Sequence, residues 1–411
     1  MTPTAPSTKT SSYLGPLLII GALFFIFGFV TWVNSVLIAF FKEAFSLTAF
    51  QSTLVAFAFF ISYTLMAIPS SAVLKRTGFK NGMSLGLIAM AVGTLIFIPA
   101  AKVVSYPLFL VGLFVIGIGL TILQTASNPY VTILGPRESA AQRISFMGIA
   151  NKLAGIISQL VFGPLLLSTA GSVTGTASLE KVVTPYLILT GVLVVLAILI
   201  RFSTLPEVSE EQDDTTGSSG VVTTEHSSVW QYPNLVLGVL ALFCYVGAEV
   251  MTGDLIISYG QAMGFSNDEA KFFTTYTLYG LLAGYLLSIV LIPRVISQQN
   301  ALRFGALLAL VLSAAALLTS GFVSILCIAL LGFAISPMWP AIWPLALNQL
   351  GRFTKLGSAL LIMGISGGAL FPLLHGYLSD AINPKAGYTL LLPIFAFILY
   401  YATLGYKKTR W

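Results

Sequence analysis

The residues best suited to chemistry in this 411-residue sequence are three ionisable groups in apolar surroundings: Lys152, Glu249 and Asp254. Charged side chains at membrane depth are costly, so each one retained there is a functional candidate by default. Lys152 lies about ten residues into an apolar run, roughly 15 Å deep at 1.5 Å per residue, too deep to snorkel easily. A lone buried lysine gives up its proton and a lone buried carboxylate takes one up. A lysine with two carboxylates can instead stay charged as a network whose protonation follows its access to water. Such a network can couple ion binding to the opening of one side of a membrane. The alternative is a static salt bridge that ties two parts of the chain together.

A second set of residues is suited to hydrogen bonding and stacking. The string Gln124-Thr-Ala-Ser-Asn-Pro-Tyr-Val-Thr-Ile-Leu-Gly-Pro136 lies in an apolar run that begins near Pro107. Lipid offers backbone amides no partners, so a proline-broken helix rich in amides and hydroxyls implies a protein-enclosed, watery cavity. Transporters present hydrogen-bonding groups to a solute at mid-membrane in this way. Sugars need amides or carboxylates for vicinal hydroxyls and flat aromatics for the C–H face. Asn34, Gln124, Asn128, Asn151, Gln159 and Asn348 supply amides, while Trp32, Tyr245, Tyr276, Tyr279, Trp339 and Trp343 supply aromatics. Trp339 and Trp343 stand at i, i+4 on one helix face with prolines beside them, away from the helix ends where belt tryptophans sit. They are expected in a pocket. His375 is expected to be structural.

To place these groups the chain needs long apolar helices. Hydrophobic residues make up 57% of the sequence and charged residues 8%, against roughly 25% charged in soluble domains. The chain is therefore read as an all-α polytopic membrane protein. Runs of about 20 apolar residues qualify as spanning helices. Twelve are present, at roughly 14–41, 50–74, 82–101, 106–134, 143–167, 184–202, 233–260, 269–293, 300–320, 322–349, 355–380 and 388–408. Ser203 to Gln231, with Glu207, Glu210, Glu211, Asp213 and Asp214 in a Thr/Gly/Ser-rich stretch, reads as a linker. The expected organisation is a six-helix half over 1–202, a cytoplasmic linker over 203–231 and a second six-helix half over 232–411.

The net charge of +6 follows membrane topology and needs no nucleic acid to explain it. Lys9, Lys75, Arg76, Lys80, Arg137, Arg143, Arg201, Arg294, Arg303, Arg352, Lys355, Lys407, Lys408 and Arg410 fall on one side of the spans. The other side holds only Lys42, Lys102, Lys181, Lys271 and Lys385. By the positive-inside rule both termini are expected in the cytoplasm. Cys244 and Cys327 lie in apolar spans, which disfavours a structural disulfide or zinc site. Residues 1–12 are polar and lead into a span too long for a signal-peptide core, so no cleaved signal is expected. The sequence has two histidines and no nucleophile–base pairing or phosphate loop at membrane depth. No catalytic residue, resident metal or cofactor is expected.

The two halves resemble each other. Ala22-Leu-Phe-Phe-Ile-Phe-Gly28 matches Ala241-Leu-Phe-Cys-Tyr-Val-Gly247, and Phe146-Met-Gly-Ile149 matches Ile362-Met-Gly-Ile365. Leu134-Gly135 and Leu350-Gly351 lie upstream of the second pair at the same separation. A parallel repeat of six helices is the major facilitator plan, in which two pseudo-symmetric halves rock about a site on their shared axis. Ser71-Ala-Val-Leu-Lys-Arg-Thr-Gly-Phe-Lys80 is a degenerate version of the facilitator loop motif, with Ser71 for Gly and Lys75 for Asp.

Over nearly its whole length the chain resembles the fucose–galactose–glucose:cation symporter family of the major facilitator superfamily. The resemblance rests on Phe24-Phe25 through Asn34, Phe45-Ser-Leu-Thr-Ala-Phe-Gln51, the Gln124–Pro136 string and Phe243-Cys-Tyr-Val-Gly-Ala248. The segment from Trp339 to Leu350 looks most like the glucose/galactose and N-acetylglucosamine branch. The fucose symporters of this family carry an Asp where this chain has Ser35 and a Glu where it has Gln124, so both acids associated with proton coupling in that branch are absent. Lys152 replaces a small polar residue, and Glu249 replaces a Gln. Aligning Gly28 with Gly247 sets Ser35 opposite Asp254, so the missing carboxylate reappears at the equivalent place in the other half.

The resemblance implies a cation-coupled importer of a hexose or amino-hexose in the bacterial inner membrane, with alternating access and no enzymatic step. Asn34, Gln124, Asn128, Asn151, Tyr245, Glu249, Trp339 and Trp343 are expected at the sugar, with Asp254, Glu249 and Lys152 in cation coupling. A proton is favoured as the co-transported ion. Sodium, held by Glu249, Asp254, Thr252 and nearby carbonyls, is the alternative, as is a uniporter whose Lys152 ammonium replaces the cation. From another class, an efflux carrier for apolar drugs predicts fewer amides than the first, fourth and fifth spans carry. One chain forms the whole pathway, so a monomer in the lipid bilayer is expected.

Overall fold

The computed structural model describes residues 14–133, 140–167, 176–203, 205, 228–292 and 295–408. Most of the 203–231 linker, the Leu134-Gly135-Pro136 end of the polar string, and Lys9, Arg137, Arg294 and Arg410 lie outside the described residues. So do the side chains of Pro129, Arg352 and Lys355.

A helix is the shape in which an isolated apolar segment satisfies its own backbone in lipid. The first, fourth, fifth and sixth spans form α1 (Leu14–Ala44), α3 (Tyr106–Ile133), α4 (Ala140–Phe162) and α5 (Thr176–Phe202). The second and third spans run together as α2 (Ala49–Lys102). Its 54 residues would measure roughly 80 Å if straight, far more than a bilayer needs. Gly78, at φ 77° and ψ 170°, breaks α2 into two legs; a side chain disfavours that geometry. Eleven helices among the described residues are long and apolar enough to span, and this break makes twelve crossings of them.

The remaining elements are α6 (Pro233–Gly253), α7 (Ile256–Ala262), α8 (Asn267–Ala270), α9 (Phe273–Leu291), α10 (Gln298–Leu318), α11 (Gly321–Ile335), α12 (Met338–Leu347), α13 (Thr354–Gly364), α14 (Gly367–Ala381) and α15 (Leu391–Thr403). The seventh, tenth and eleventh spans, expected to be continuous, are each broken, at 254–255, 336–337 and 365–366. Hydroxyls repair the exposed backbone. Pro337 cannot donate to the Phe333 carbonyl, and the Ser336 hydroxyl does so instead at 2.9 Å. At the end of α6, the carbonyls of Met251, Thr252 and Gly253 accept from Tyr388 (3.2 Å), Thr277 (3.2 Å) and Thr274 (2.7 Å).

Helix pairing repeats between the halves. α1 packs on α4 as α6 packs on α14; the first leg of α2 packs on α3 as α9 packs on α11; and the second leg packs on α5 as α10 packs on α15. Small residues allow the close approaches that hold helices together in lipid. Gly28 sits against the Asn151 backbone, and its repeat partner Gly247 sits against the Phe371 ring. At the end of the bundle carrying the α1–α2 turn, side chains join the halves. Asp380 accepts from the Ala49 and Phe50 amides, both at 2.8 Å, and Glu43 accepts from Gln261 (2.8 Å) and Asn267 (3.0 Å).

Candidate functional site

The charged groups singled out in the sequence meet where α4 and α6 face one another across the two halves. Lys152 Nζ donates to Glu249 Oε1 at 2.7 Å, with the two side chains 9% and 15% exposed. The ammonium also lies 4.7 Å from the centroid of the Trp32 ring. Trp32 Nε1 in turn donates to Asn151 Oδ1 at 3.4 Å. One turn before Glu249 on α6, the buried Tyr245 hydroxyl neighbours both Glu249 and Tyr285 of α9. The Tyr245 ring is 6.2 Å from Trp339, which stacks on Trp343 at 5.4 Å and 30°. An unbroken string therefore runs from Trp343 through Trp339, Tyr245, Glu249, Lys152 and Trp32 to Asn151. Four of its seven members are aromatic, and the other three are a carboxylate, an ammonium and an amide.

Asp254 follows α6 at the helix break, almost fully buried, with Glu249 and Lys152 as the charged groups acting on it. No ion pair reaches Asp254 among the described residues. Ser35, set opposite Asp254 by the repeat, is buried and donates to Gln159 Oε1 and to the Trp32 carbonyl, each at 3.0 Å. Gln159 Nε2 donates to the same carbonyl.

The model of the Major Facilitator Superfamily matches residues 20–370 of this chain. The chain belongs to the Major Facilitator Superfamily. Within this superfamily it is 36% identical over 407 residues to the glucose/galactose transporter of Brucella abortus biovar 1 (strain 9-941), covering 98% of this chain and 97% of that protein. It is 31% identical over 391 residues to the L-fucose-proton symporter of Escherichia coli (strain K12), covering 91% of this chain and 89% of the other. The crystal structure of the transporter FucP in its outward conformation superposes with a TM-score of 0.71 at 29% identity, covering 95% and 99% of the two chains. This facilitator is therefore a multi-pass membrane protein of a transporter class and not an enzyme, as the residues predicted, and its relatives bear out the fucose–galactose–glucose:cation symporter resemblance.

The facilitator fold gathers Lys152, Glu249, Asp254, Asn151, Tyr245, Trp339 and Trp343 around one place. The other residues expected at the sugar make no hydrogen bond to this string among the described residues. Gln124 on α3, half-buried, donates to the Tyr63 hydroxyl of α2 at 2.7 Å, and no hydrogen bond among the described residues links it to the Lys152 string. Asn128 lies one turn further along α3, also half-buried. Asn34 is buried, and its Nδ2 has no hydrogen-bond partner among the described residues. Tyr276 and Tyr279 face outward, and Asn348 is exposed at the end of α12. Trp32 is buried, with the Lys152 ammonium over its ring. His375 is buried edge-on to Tyr388, with Nε2 unpartnered beside a cavity of about 110 Å³ that Lys42, Ser258 and Asp380 also line. Sequence reasoning missed Tyr63 and Tyr285. Each is one of 16 tyrosines and is marked out only by a partner on another helix.

Proposed function

We propose that this facilitator is a secondary active importer of a hexose or amino-hexose, coupled to a proton gradient and working by alternating access. Residues 1–202 and 232–411 are its two rocking halves, with 203–231 a cytoplasmic linker and both termini in the cytoplasm of a bacterial inner membrane. It acts as a monomer. The observation that carries the reading is the Lys152–Glu249 pair bridging α4 and α6 beside the buried carboxylate of Asp254, which makes no ion pair among the described residues. Glu249 has its counter-charge in Lys152. Asp254 makes no ion pair among the described residues, and burying it as an anion close to Glu249 is costly, so it is the group that must hold a proton while the halves close around a sugar. The names of the two relatives, one a glucose/galactose transporter and one a fucose-proton symporter, agree with a sugar and a proton.

The sugar rests on Trp339, Trp343 and Tyr245 at one end and on Asn151 and Glu249 at the other, with Gln124, Asn128 and Asn34 completing the cavity wall. Gln124 bonds hydroxyls and carries no proton. Sodium fits the site less well. The α6 carbonyls it would use already accept hydroxyl protons, and Thr252 Oγ1 is turned to the carbonyls of Ala248 and Glu249.

The test is sugar uptake into proteoliposomes driven by an imposed proton gradient and, separately, by a sodium gradient, for the parent and for Asp254→Asn. Proton-driven accumulation that Asp254→Asn abolishes while sugar counterflow persists is the expected result. Full accumulation by Asp254→Asn refutes the assignment. Accumulation driven only by sodium, or only equilibration with either gradient, replaces proton coupling with sodium symport or uniport through Lys152. Thermal shift against hexoses, amino sugars and deoxysugars tests the substrate class, because a site ligand stabilises the folded state by mass action. Silence against all of them removes the sugar reading and favours an efflux carrier.

A further inference from the structure

The Trp32 indole occupies a slot whose walls come from opposite halves. A Cβ on Gly155 of α4 would lie 2.6 Å from Trp32 Cδ1, and one on Gly253, the last residue of α6, would lie 2.6 Å from Cζ3. Carbon atoms do not approach that closely, so glycine alone leaves room at either wall. The seat is held from three further directions. Trp32 N–H donates to Asn151, the Lys152 ammonium rests over the ring, and Ser35 and Gln159 donate to the Trp32 carbonyl. Gly253 directly precedes Asp254, and Lys152 pairs with Glu249. One side chain thus touches both the lysine of the ion pair and the neighbour of the lone carboxylate.

We propose that Trp32 is the positioning residue of the coupling step, seated in the Gly155–Gly253 slot so that the position of the Lys152 ammonium and the α6 break at Asp254 change together. This rests on the coupling roles given above to Lys152, Glu249 and Asp254. When the halves rock, the Cζ3 edge of the indole leaves Gly253. The ring then turns away from the ammonium it supports by cation–π attraction, and the ion pair is released as the carboxylate is uncovered. An indole that merely filled space would leave a cavity when replaced by a smaller ring, and counterflow and accumulation would then fall together.

Two readouts test this, in a background with Cys244 and Cys327 replaced by serine. The first needs no sugar: alkylation of Ser258→Cys, which lines the cavity at the α1–α2 end. Gly253→Ala overfills the slot and is expected to raise labelling severalfold by disfavouring the state closed at that end. Adding Trp32→Phe, whose ring does not reach as far, is expected to return labelling to the parent level. The second is transport. Trp32→Phe alone keeps counterflow within about threefold of the parent but loses accumulation against the gradient, because phenylalanine has no N–H for Asn151. Unchanged labelling in Gly253→Ala overturns the slot, and undiminished accumulation by Trp32→Phe overturns the positioning role. If the parent moves no sugar, the substrate assignment fails while the labelling result still decides the slot.

Discussion

Removing the charge from Glu249 isolates what the buried ion pair contributes. At 2.7 Å, the Coulomb attraction between Lys152 and Glu249 is about 6 kcal/mol at an effective dielectric constant of about 20. Most of that offsets the cost of taking both ions out of water. Deleting one partner, however, leaves the other buried and unpaired, at a cost of about 3–5 kcal/mol. The 15% exposure of Glu249 puts this pair at the lower end. Glu249→Gln is therefore expected to destabilise the protein by about 3 kcal/mol, a fall in midpoint on the order of 5 °C for a chain this large. Lys152→Met is expected to cost a similar amount. The double variant removes both charges and is expected within about 1 kcal/mol of the parent. Thermal melts in detergent, followed by circular dichroism, give the three midpoints. If the double variant falls by the sum of the singles, the two residues are energetically independent and the pair carries no coupling.

Three further outcomes follow from the same geometry. Trp343→Ala removes one plate of the stacked pair and should raise the half-saturating sugar concentration roughly tenfold while leaving maximal counterflow nearly intact. Thr274→Val keeps the side-chain shape but strips the hydroxyl from the Gly253 carbonyl, so it should cost about 1–2 kcal/mol and weaken accumulation more than counterflow. Gly28→Ala pushes a methyl into the Asn151 backbone, whereas Gly21→Ala meets only Met147 Cε at 3.8 Å; the first should lower the melting midpoint clearly and the second hardly at all.

The fold was largely legible because lipid makes its demand on nearly every residue of a span: apolar length alone locates a helix there, and matching glycines exposed the repeat. Gly28 and Gly247 were aligned by sequence, and both turned out to sit at equivalent helix crossings. The helix breaks were less legible. The break at Pro337 was not singled out from the sequence, and the break at Asp254 depends on hydroxyls from Thr274, Thr277 and Tyr388, which are remote in sequence. Charge at membrane depth pointed to Lys152, Glu249 and Asp254 because it is so expensive there. Residue type could not show that Trp32 would be covered by Lys152, or that Gln124 would pair with Tyr63, since both depend on how helices rotate about their axes.

The Asp380 contact has an evolutionary consequence. Its donors are main-chain amides of residues 49 and 50, so side-chain drift at those positions leaves them intact unless proline arrives. The acceptor, by contrast, is a single carboxylate. The strength with which the two halves grip at that end can therefore be retuned by one codon in the second half, with no matching change in the first. Turnover could adapt to a new sugar supply without disturbing the residues that recognise the sugar.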